Sequence, residues 1–498
     1  MIRDLAGQSI AVAGYGITGR ACVRFLLSQK ANICVIDSDP AIANKLEQNT
    51  NVSALELTAE IDLSGFSTIV ISPGVDPHQA CFKTYVAQGG ELIGDIELFA
   101  WFNETPLIGI TGSNGKTTVT DMLGKVLSRA GLNVELAGNY GKCALDLLMV
   151  DKRSVNSADG RAIDLIVLEL SSYQLEMTSS LQLDIGTILN ISEDHLDRHG
   201  SFEEYKKAKQ AIFAMTSKLI VCRDEPESYP SHAQYPAICA EVGRDNCNIG
   251  YSIQTDNINA NSAEHHIQFN GEAAMSLSDL ALKGIHNQIN AMTVLAICDQ
   301  LKLDRKLTIP AICEYKGLPH RFEVIKEYRV AALEKGALEK AALEKAAPEK
   351  AACEKNENVQ GAESKNISWI NDSKATNIGA CLAALDCFAN TNEYVILIAG
   401  GDSKGVNLAP LLKPIKECVK QLIVLGKDAN KFIELFPNAH PVNSLQEAVA
   451  LAIELLKSAS FSSATVLLSP ACASIDMFKN YQQRGDVFTH AVNQQVAL

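Results

Sequence analysis

An excess of positive charge is missing from this chain: 58 acidic residues stand against 44 basic ones, a formal charge of -14. Nucleic-acid backbones and anionic membranes are held mainly by surplus Lys and Arg, so neither is expected as a partner. A small anionic ligand in a local site remains compatible with this balance. Also missing is any stretch approaching the ~18 consecutive apolar residues of a spanning helix, so no integral membrane segment is expected. The opening MIRDLAGQSIAVAGYG runs from a short apolar stretch into a glycine turn without a secretory cleavage pattern, which predicts a soluble, cytoplasmic protein. None of the 14 cysteines falls in a C-x-x-C pair or a His-Cys cluster of zinc spacing, so reduced, mostly buried thiols are expected.

What is present is ordinary globular composition, 47% hydrophobic and 20% charged. The length of 498 residues suggests about three domains, each able to bury a core. Apolar β-type runs (SIAVAG, ICVID, TIVIS, ELIG) alternate with helix-length segments up to about Leu98, as a parallel α/β sheet requires. The pattern restarts at LIGITGSNGKTT, continues through DLIVLEL and DIGTILNI, and reaches a Lys-rich helical stretch from Phe202 to Ala214. A third series has strands at SWIND, YVILIAGG, QLIVLG and ATVLLSP, with helical segments such as LQEAVALAIELL between them. The predicted domains are residues 1–104, 105–317 and 318–498. Within the last, five tandem AALEK-type repeats span residues 331–355. Their five-residue period rotates Leu around a helix axis and Pro348 interrupts them, so a solvated, partly helical insertion is favoured over a partner-binding one.

The strongest chemical motif is Gly109 to Thr118, GITGSNGKTT, between an apolar strand and a helical segment. Small residues let backbone N–H groups approach phosphate oxygens, Lys116 supplies a point charge, and the Thr117 hydroxyl can reach Mg2+. The strict phosphate-loop pattern would place glycine where Ile110 stands, so this is a variant loop. In the first domain, Gly14-Tyr-Gly-Ile-Thr-Gly19 follows a strand and Asp37 ends the next, a weak dinucleotide fingerprint. It fits NAD, a different nucleotide-bearing ligand, or a plain strand-to-helix turn. Glu169 and the pair Asp194-His195 follow two strands of the second series, where ligands of parallel sheets bind and where oxygen ligands suit Mg2+.

Eight motifs occur in order: TGSNGKTT, LELSSYQLE, NISEDHLDRHG, GIHNQIN, GLPHRFE, NDSKATN, GGDSKG and SPACASIDMF. Together they resemble the Mur ligases across nearly the whole chain apart from the AALEK repeats. The resemblance implies a Rossmann-like N-terminal domain, a central phosphate-loop ATPase-like domain and a Rossmann-like C-terminal domain. It also implies an ATP- and Mg2+-dependent ligase that joins D-glutamate to UDP-N-acetylmuramoyl-L-alanine through an acyl phosphate, working as a single chain.

By motif match, Gly112, Ser113, Asn114, Gly115, Lys116, Thr117 and Thr118 would hold ATP phosphates, with Thr117, Glu169 and His195 at the metal. Lys209 matches a lysine that the family carries as a carbamate; without the resemblance it reads as a surface helix lysine. Asn287 and Asn290 would face adenine, Asp372 the ribose, and Arg321 and Lys374 the transferred phosphate. Thr376, Lys404, Ser474 and Tyr481 would bind D-glutamate. Thr18, Asp37, Ser38, Ser72 and Gly74, with Asn139, would contact the UDP substrate. Asp39 stands where some relatives have arginine. Another amino-acid ligase of the Mur or folylpolyglutamate group, or a module using only Gly14 to Gly19, stays open on the residues alone.

Overall fold

The Val-, Ile- and Leu-rich runs form three sheets in the computed structural model, whose described residues are 3–46, 52–149, 162–230, 238–245, 250–259, 262–282, 284–330, 365–389 and 391–496. The chain divides into two units, Met1–Lys316 and Gly317–Leu498. The AALEK repeats lie outside the described residues.

The first sheet comprises β1 (Ser9–Ala13), β2 (Asn32–Asp37), β3 (Val52–Glu56), β4 (Thr68–Ile71) and β5 (Glu91–Gly94). All pairs are parallel, in the order β3-β2-β1-β4-β5. The chain order reverses between β1 and β4, and a crevice opens at the carboxyl ends of two strands flanking such a reversal. The glycine turn after β1 sits there. A Cβ on Gly19 would lie 1.8 Å from the Gly14 carbonyl oxygen, so the helix Ile17–Ser28 can approach the turn only with glycine at that position.

The second sheet comprises β6 (Leu107–Thr111), β7 (Val134–Gly138), β8 (Leu165–Glu169), β9 (Leu183–Ile188), β10 (Thr216–Cys222), β11 (Ile238–Val242), β12 (Tyr251–Asn259), β13 (Ser262–Phe269) and β14 (Glu272–Ser276). Its order is β14-β13-β12-β11-β10-β9-β6-β8-β7, parallel except where β12, β13 and β14 pair antiparallel at one edge. Here β6 lies between β8 and β9, so its C-terminal loop has a strand end on either side. The helix Asp95–Ala100 connects the first sheet to the second and buries Ile96, Leu98 and Phe99 in an apolar core that includes Val12, Val70, Leu168 and Ile188. At ~25 cal/mol per Å2, each such side chain contributes roughly 1.5–3 kcal/mol.

The other unit holds β15 (Glu323–Val330), β16 (Lys365–Asn371), β17 (Tyr394–Gly400), β18 (Val419–Leu425), β19 (His440–Pro441) and β20 (Ser463–Ala471). The order is β15-β16-β20-β17-β18-β19, parallel except for the β15–β16 edge pair. The helix Leu445–Ser458 packs its Ala448, Val449 and Ala452 against this sheet's Val466 and Ile423 within one core. No helix among the described residues is long and apolar enough to cross a membrane.

Candidate active site

The phosphate-loop motif folds differently from its pattern in one respect. Gly109, Ile110 and Thr111 continue β6, with Ile110 fully buried and paired to Glu169 and Thr187, so only Gly112 to Gly115 form the turn. The side chain at position 110 belongs to the core, and glycine is not required there. Gly115 adopts φ +81 immediately before the helix Lys116–Arg129, and a Cβ on it would sit 2.9 Å from Asn290 Oδ1. Asn290 is thereby placed against the loop, and it donates to Asn287 Oδ1 at 3.2 Å from the same buried helix face. Asn190, after β9, clamps the turn: Asn114 N donates to its Oδ1 at 2.8 Å and its Nδ2 donates to the Asn114 carbonyl at 3.1 Å.

Lys116 folds back over the turn, donating to the carbonyls of Gly112 at 2.7 Å and Ser113 at 3.0 Å. Thr117 and Thr118 occupy the helix's first turn, where free N–H groups and the dipole favour anions. Lys209, on the helix Phe202–Gln210, is almost wholly buried and donates to the Gly112 carbonyl at 2.8 Å. Burial and then the neighbouring Lys116 push its amine well below the usual lysine range, against the pull of Asp194 and Glu169. The surface-lysine reading of Lys209 is therefore wrong for this fold.

Glu169 ends β8 and is 1% exposed. Its Oε1 accepts from Asn139 Nδ2 at 2.7 Å, while its Oε2 is buried with no hydrogen-bond partner among the described residues. An uncompensated carboxylate oxygen of that kind costs roughly 1–3 kcal/mol or more unless a ligand satisfies it. It suits a hard cation. No cluster of three or more His, Cys, Asp or Glu able to hold a metal occurs among the described residues, so such a cation would need ligands from elsewhere, as Mg2+ shared with nucleotide phosphates does. His195, in the left-handed region at φ 54, packs edge-on to Tyr173 at 5.2 Å and lies 3.7 Å from Asp194.

Several residues here carried no signal in the motif reading. Tyr205 is buried with its hydroxyl 2.8 Å from Ser113 Oγ, and its ring lies 4.8 Å from Lys209 Nζ. Ser113 Oγ also bridges the Ser192 backbone, donating to its carbonyl and accepting from its N–H, both at 2.9 Å. Gln174 completes a capping box with Ser171 and donates to Asp95 Oδ2 at 3.3 Å. Burial raises the Asp95 carboxyl to about 6. Partners such as these are set by tertiary packing, which spacing alone does not reveal.

At the first sheet's crevice, Asp37 accepts from the Tyr15 N–H at 2.7 Å and from the Asp39 N–H at 3.0 Å. Ser72, just past β4, donates to the Gly14 carbonyl at 2.9 Å. Thr18 lies in the first turn of the adjoining helix, Ser38 is exposed, and Gly74 faces open space. These residues share one strand-end crevice. Ser72, Asp95, Tyr173, Gln174 and Arg198 line a small pocket.

In the other unit, Asp372 follows β16 and accepts from Phe322 N at 3.1 Å and Ser469 Oγ at 2.8 Å. Burial lifts it to about 7, opposed by those bonds and by the charges of Arg321 and Lys374. Lys374 Nζ lies 5.2 Å from the Tyr481 ring, and the Thr376 N–H donates to the Lys374 carbonyl at 2.7 Å. Ser474 is buried past β20, and Lys404 is exposed past β17 with φ 51. Arg484, absent from the motif reading, is 2% exposed and joins Ser373 Oγ, the Ser373 carbonyl and the Cys472 carbonyl at 2.8–3.0 Å.

A glycine turn of phosphate-loop type flanked by a buried carboxylate and lysine, with one parallel α/β sheet before it in the chain and another after it, is the architecture of an ATP-dependent ligase of the multi-sheet class. Residues 110–298 match the Mur ligase middle domain, residues 8–94 the Mur ligase MurD-like N-terminal domain, and residues 357–472 the Mur ligase glutamate ligase domain. The chain belongs to the Mur ligase family. It is 35% identical over 496 residues to the UDP-N-acetylmuramoylalanine--D-glutamate ligase of Pseudoalteromonas translucida, covering 99% of this chain and 98% of that one. It is 33% identical to the enzyme of the same name from Vibrio cholerae, covering 98% of each. Among solved structures, the MurF ligase of Thermotoga maritima in complex with ADP superposes with a TM-score of 0.56 at 12% identity, covering 99% of this chain and 98% of that one, which speaks for the fold.

Proposed function

We propose that this chain joins D-glutamate to UDP-N-acetylmuramoyl-L-alanine with ATP, a step in peptidoglycan precursor synthesis. The observation that carries the reading is the Gly112 turn, gripped by Lys116 and Lys209 beside the unsatisfied Glu169 oxygen, in a chain alike end to end to ligases of that name. A carboxylate is a poor acyl donor. ATP first phosphorylates the alanyl carboxylate, releasing ADP; the D-glutamate amine then attacks the acyl carbon and expels inorganic phosphate. Oxyanions crowd one another throughout, so placed cations and orientation are the main sources of rate.

Lys116 would face the transferring phosphoryl group, and the N–H groups of Gly112 to Thr118 its neighbours. When bound, Mg2+ would neutralise phosphate charge, held through Thr117, Glu169, His195 and a carbamate on Lys209. The depressed Lys209 amine favours the neutral form that attacks carbon dioxide, losing one proton as the carbamate forms. Asn287 and Asn290 would meet adenine and Asp372 the ribose, with Arg321 and Lys374 at the phosphoryl group. Thr376, Lys404, Ser474 and Tyr481 would take D-glutamate, while Thr18, Asp37, Ser38, Ser72, Gly74 and Asn139 would take the UDP substrate. Phosphate release with UDP-N-acetylmuramoyl-L-alanine and a panel of amino acids tests this. Turnover confined to D-glutamate is expected, and equal turnover with other amino acids or another nucleotide acceptor overturns it.

A further inference from the structure

The loop after β17 that carries Lys404 is anchored by carboxylates that no part of the proposed chemistry uses. Asp428, 9% exposed at the start of the helix Ala429–Leu435, accepts through Oδ2 from both the N–H and the hydroxyl of Ser403, each at 2.7 Å. Its own N–H donates to the Gly401 carbonyl at 3.0 Å. One residue therefore grips the loop on both sides of Asp402. Asp402 in turn accepts the Lys404 N–H through Oδ1 at 2.8 Å, and its backbone exchanges two hydrogen bonds with Ala473 at 2.9 and 3.0 Å. That ladder joins the Lys404 loop to the segment bearing Ser474.

The charges are sorted by the same contacts. Lys427 pairs with Asp402 at 2.9 Å and Lys431 with Asp428 at 3.1 Å, whereas Lys404 has no ion-pair partner among the described residues. Three lysines surround the loop, and the one at its tip is left to meet an incoming anion. Lys404 holds φ 51, which a non-glycine residue keeps only where neighbours over-determine it. Asp402 accepts the Lys404 N–H directly, and Asp428 bonds the residue before it, Ser403. Burial works against the Asp428 charge, yet the Ser403 bonds and Lys431 outweigh it and hold the carboxyl below its ordinary range.

We propose that Asp428 is a positioning residue for the amino-acid substrate: through Ser403 it fixes the left-handed Lys404 so that the ammonium is presented to a substrate carboxylate. The proposal rests on the reading of Lys404 as a D-glutamate ligand. It concerns the acidic amino acid alone, so ATP and the UDP substrate should be untouched.

The test is steady-state kinetics of the full chain, varying each substrate, for Asp428→Asn, Ser403→Ala, Lys404→Ala and the double variant Asp428→Asn/Lys404→Ala. Asp428→Asn keeps the shape and removes the charge from two charge-assisted bonds, so KM for D-glutamate should rise about 10-fold. KM for ATP and kcat should stay within ~2-fold. In the Lys404→Ala background the same change should add nothing, because the two act through one contact. A multiplied effect in the double variant, or an equal rise in KM for ATP, overturns the proposal. Lys404→Ala raising KM while Asp428→Asn does not overturns it while leaving the Lys404 assignment standing; an unchanged KM in Lys404→Ala removes both. If Asp428→Asn does not fold, Ser403→Ala decides: a rise of about 3-fold in KM for D-glutamate alone supports the proposal, and no change overturns it.

Discussion

Lys116 and Lys209 donate to the same acceptor, the Gly112 carbonyl, at 2.7 and 2.8 Å. Two ammonium groups on one carbonyl repel, and the more buried one yields its proton first. Lys209 is that one, its amine driven down by burial and then by Lys116. The turn thus brings two lysine amines to one carbonyl, and burial favours the neutral form at Lys209.

Lys209→Ala is expected to lose activity that millimolar acetate or formate partly restores, because a diffusing carboxylate can supply the oxygens a carbamate would offer a hard cation. Depleting dissolved carbon dioxide should lower wild-type turnover. Rescue by a small amine and not by an acid would mean that Lys209 works as a simple cation.

Lys116→Ala should cost at least ~100-fold in kcat, the scale of removing a placed charge from a transition state. Lys116 is half-buried and donates to two carbonyls of its own turn, so the fold should survive its truncation with an unchanged circular-dichroism spectrum. Near-normal phosphate release by the folded variant would show that the charge is supplied elsewhere.

Much of the fold was legible because buried parallel strands are apolar runs. SIAVAG, ICVID, TIVIS, ELIG, LIGIT, DLIVLEL, YVILIAGG, QLIVLG and ATVLLSP all fall on strands. The antiparallel edge β12 to β14 was not, because SIQTDNIN and SAEHHIQF alternate polar residues through a strand and leave no such run. β15 was legible only as a strand expected just before the AALEK repeats, as EVIKEYRV mixes charges into an edge position. At the site, Glu169, Asn190 and Lys116 follow strand ends and could be placed from topology. Tyr205, Gln174, Asp95 and Arg484 act through contacts dozens of residues away, which no local pattern encodes.

Deleting Ala331 to Lys355 should leave most activity. β15 and β16 pair antiparallel with Val330 opposite Lys365, so the chain leaves and returns at neighbouring positions on one edge, and a short connection can join them. Shortening the loop reduces closure entropy, which should raise stability by about 1 kcal/mol. Retained turnover with a slightly higher Tm is the expected outcome; collapse of either would show that the repeats bind something the enzyme requires.

Asp95 gives a pH-dependent signature that can be separated from the chemistry. Its carboxyl is 6% exposed, accepts one bond from Gln174 and leaves Oδ1 without a partner among the described residues, and burial lifts it from 3.8 to about 6. The fold therefore favours the neutral acid. Its contribution is fully present below the unfolded value near 4 and is lost as pH rises through about 6, because between those limits the native state binds more protons than the unfolded one. Above that window the buried charge costs roughly 3 kcal/mol, a shift of about two pK units. Asp95→Asn keeps an oxygen for the Gln174 N–H and removes the ionisation. The variant should match wild type near pH 4 and melt several degrees higher at pH 8, with the gap opening between about pH 4 and 6. Melting curves that stay parallel across that range would show that Asp95 ionises freely, and that its burial is relieved before the proton leaves.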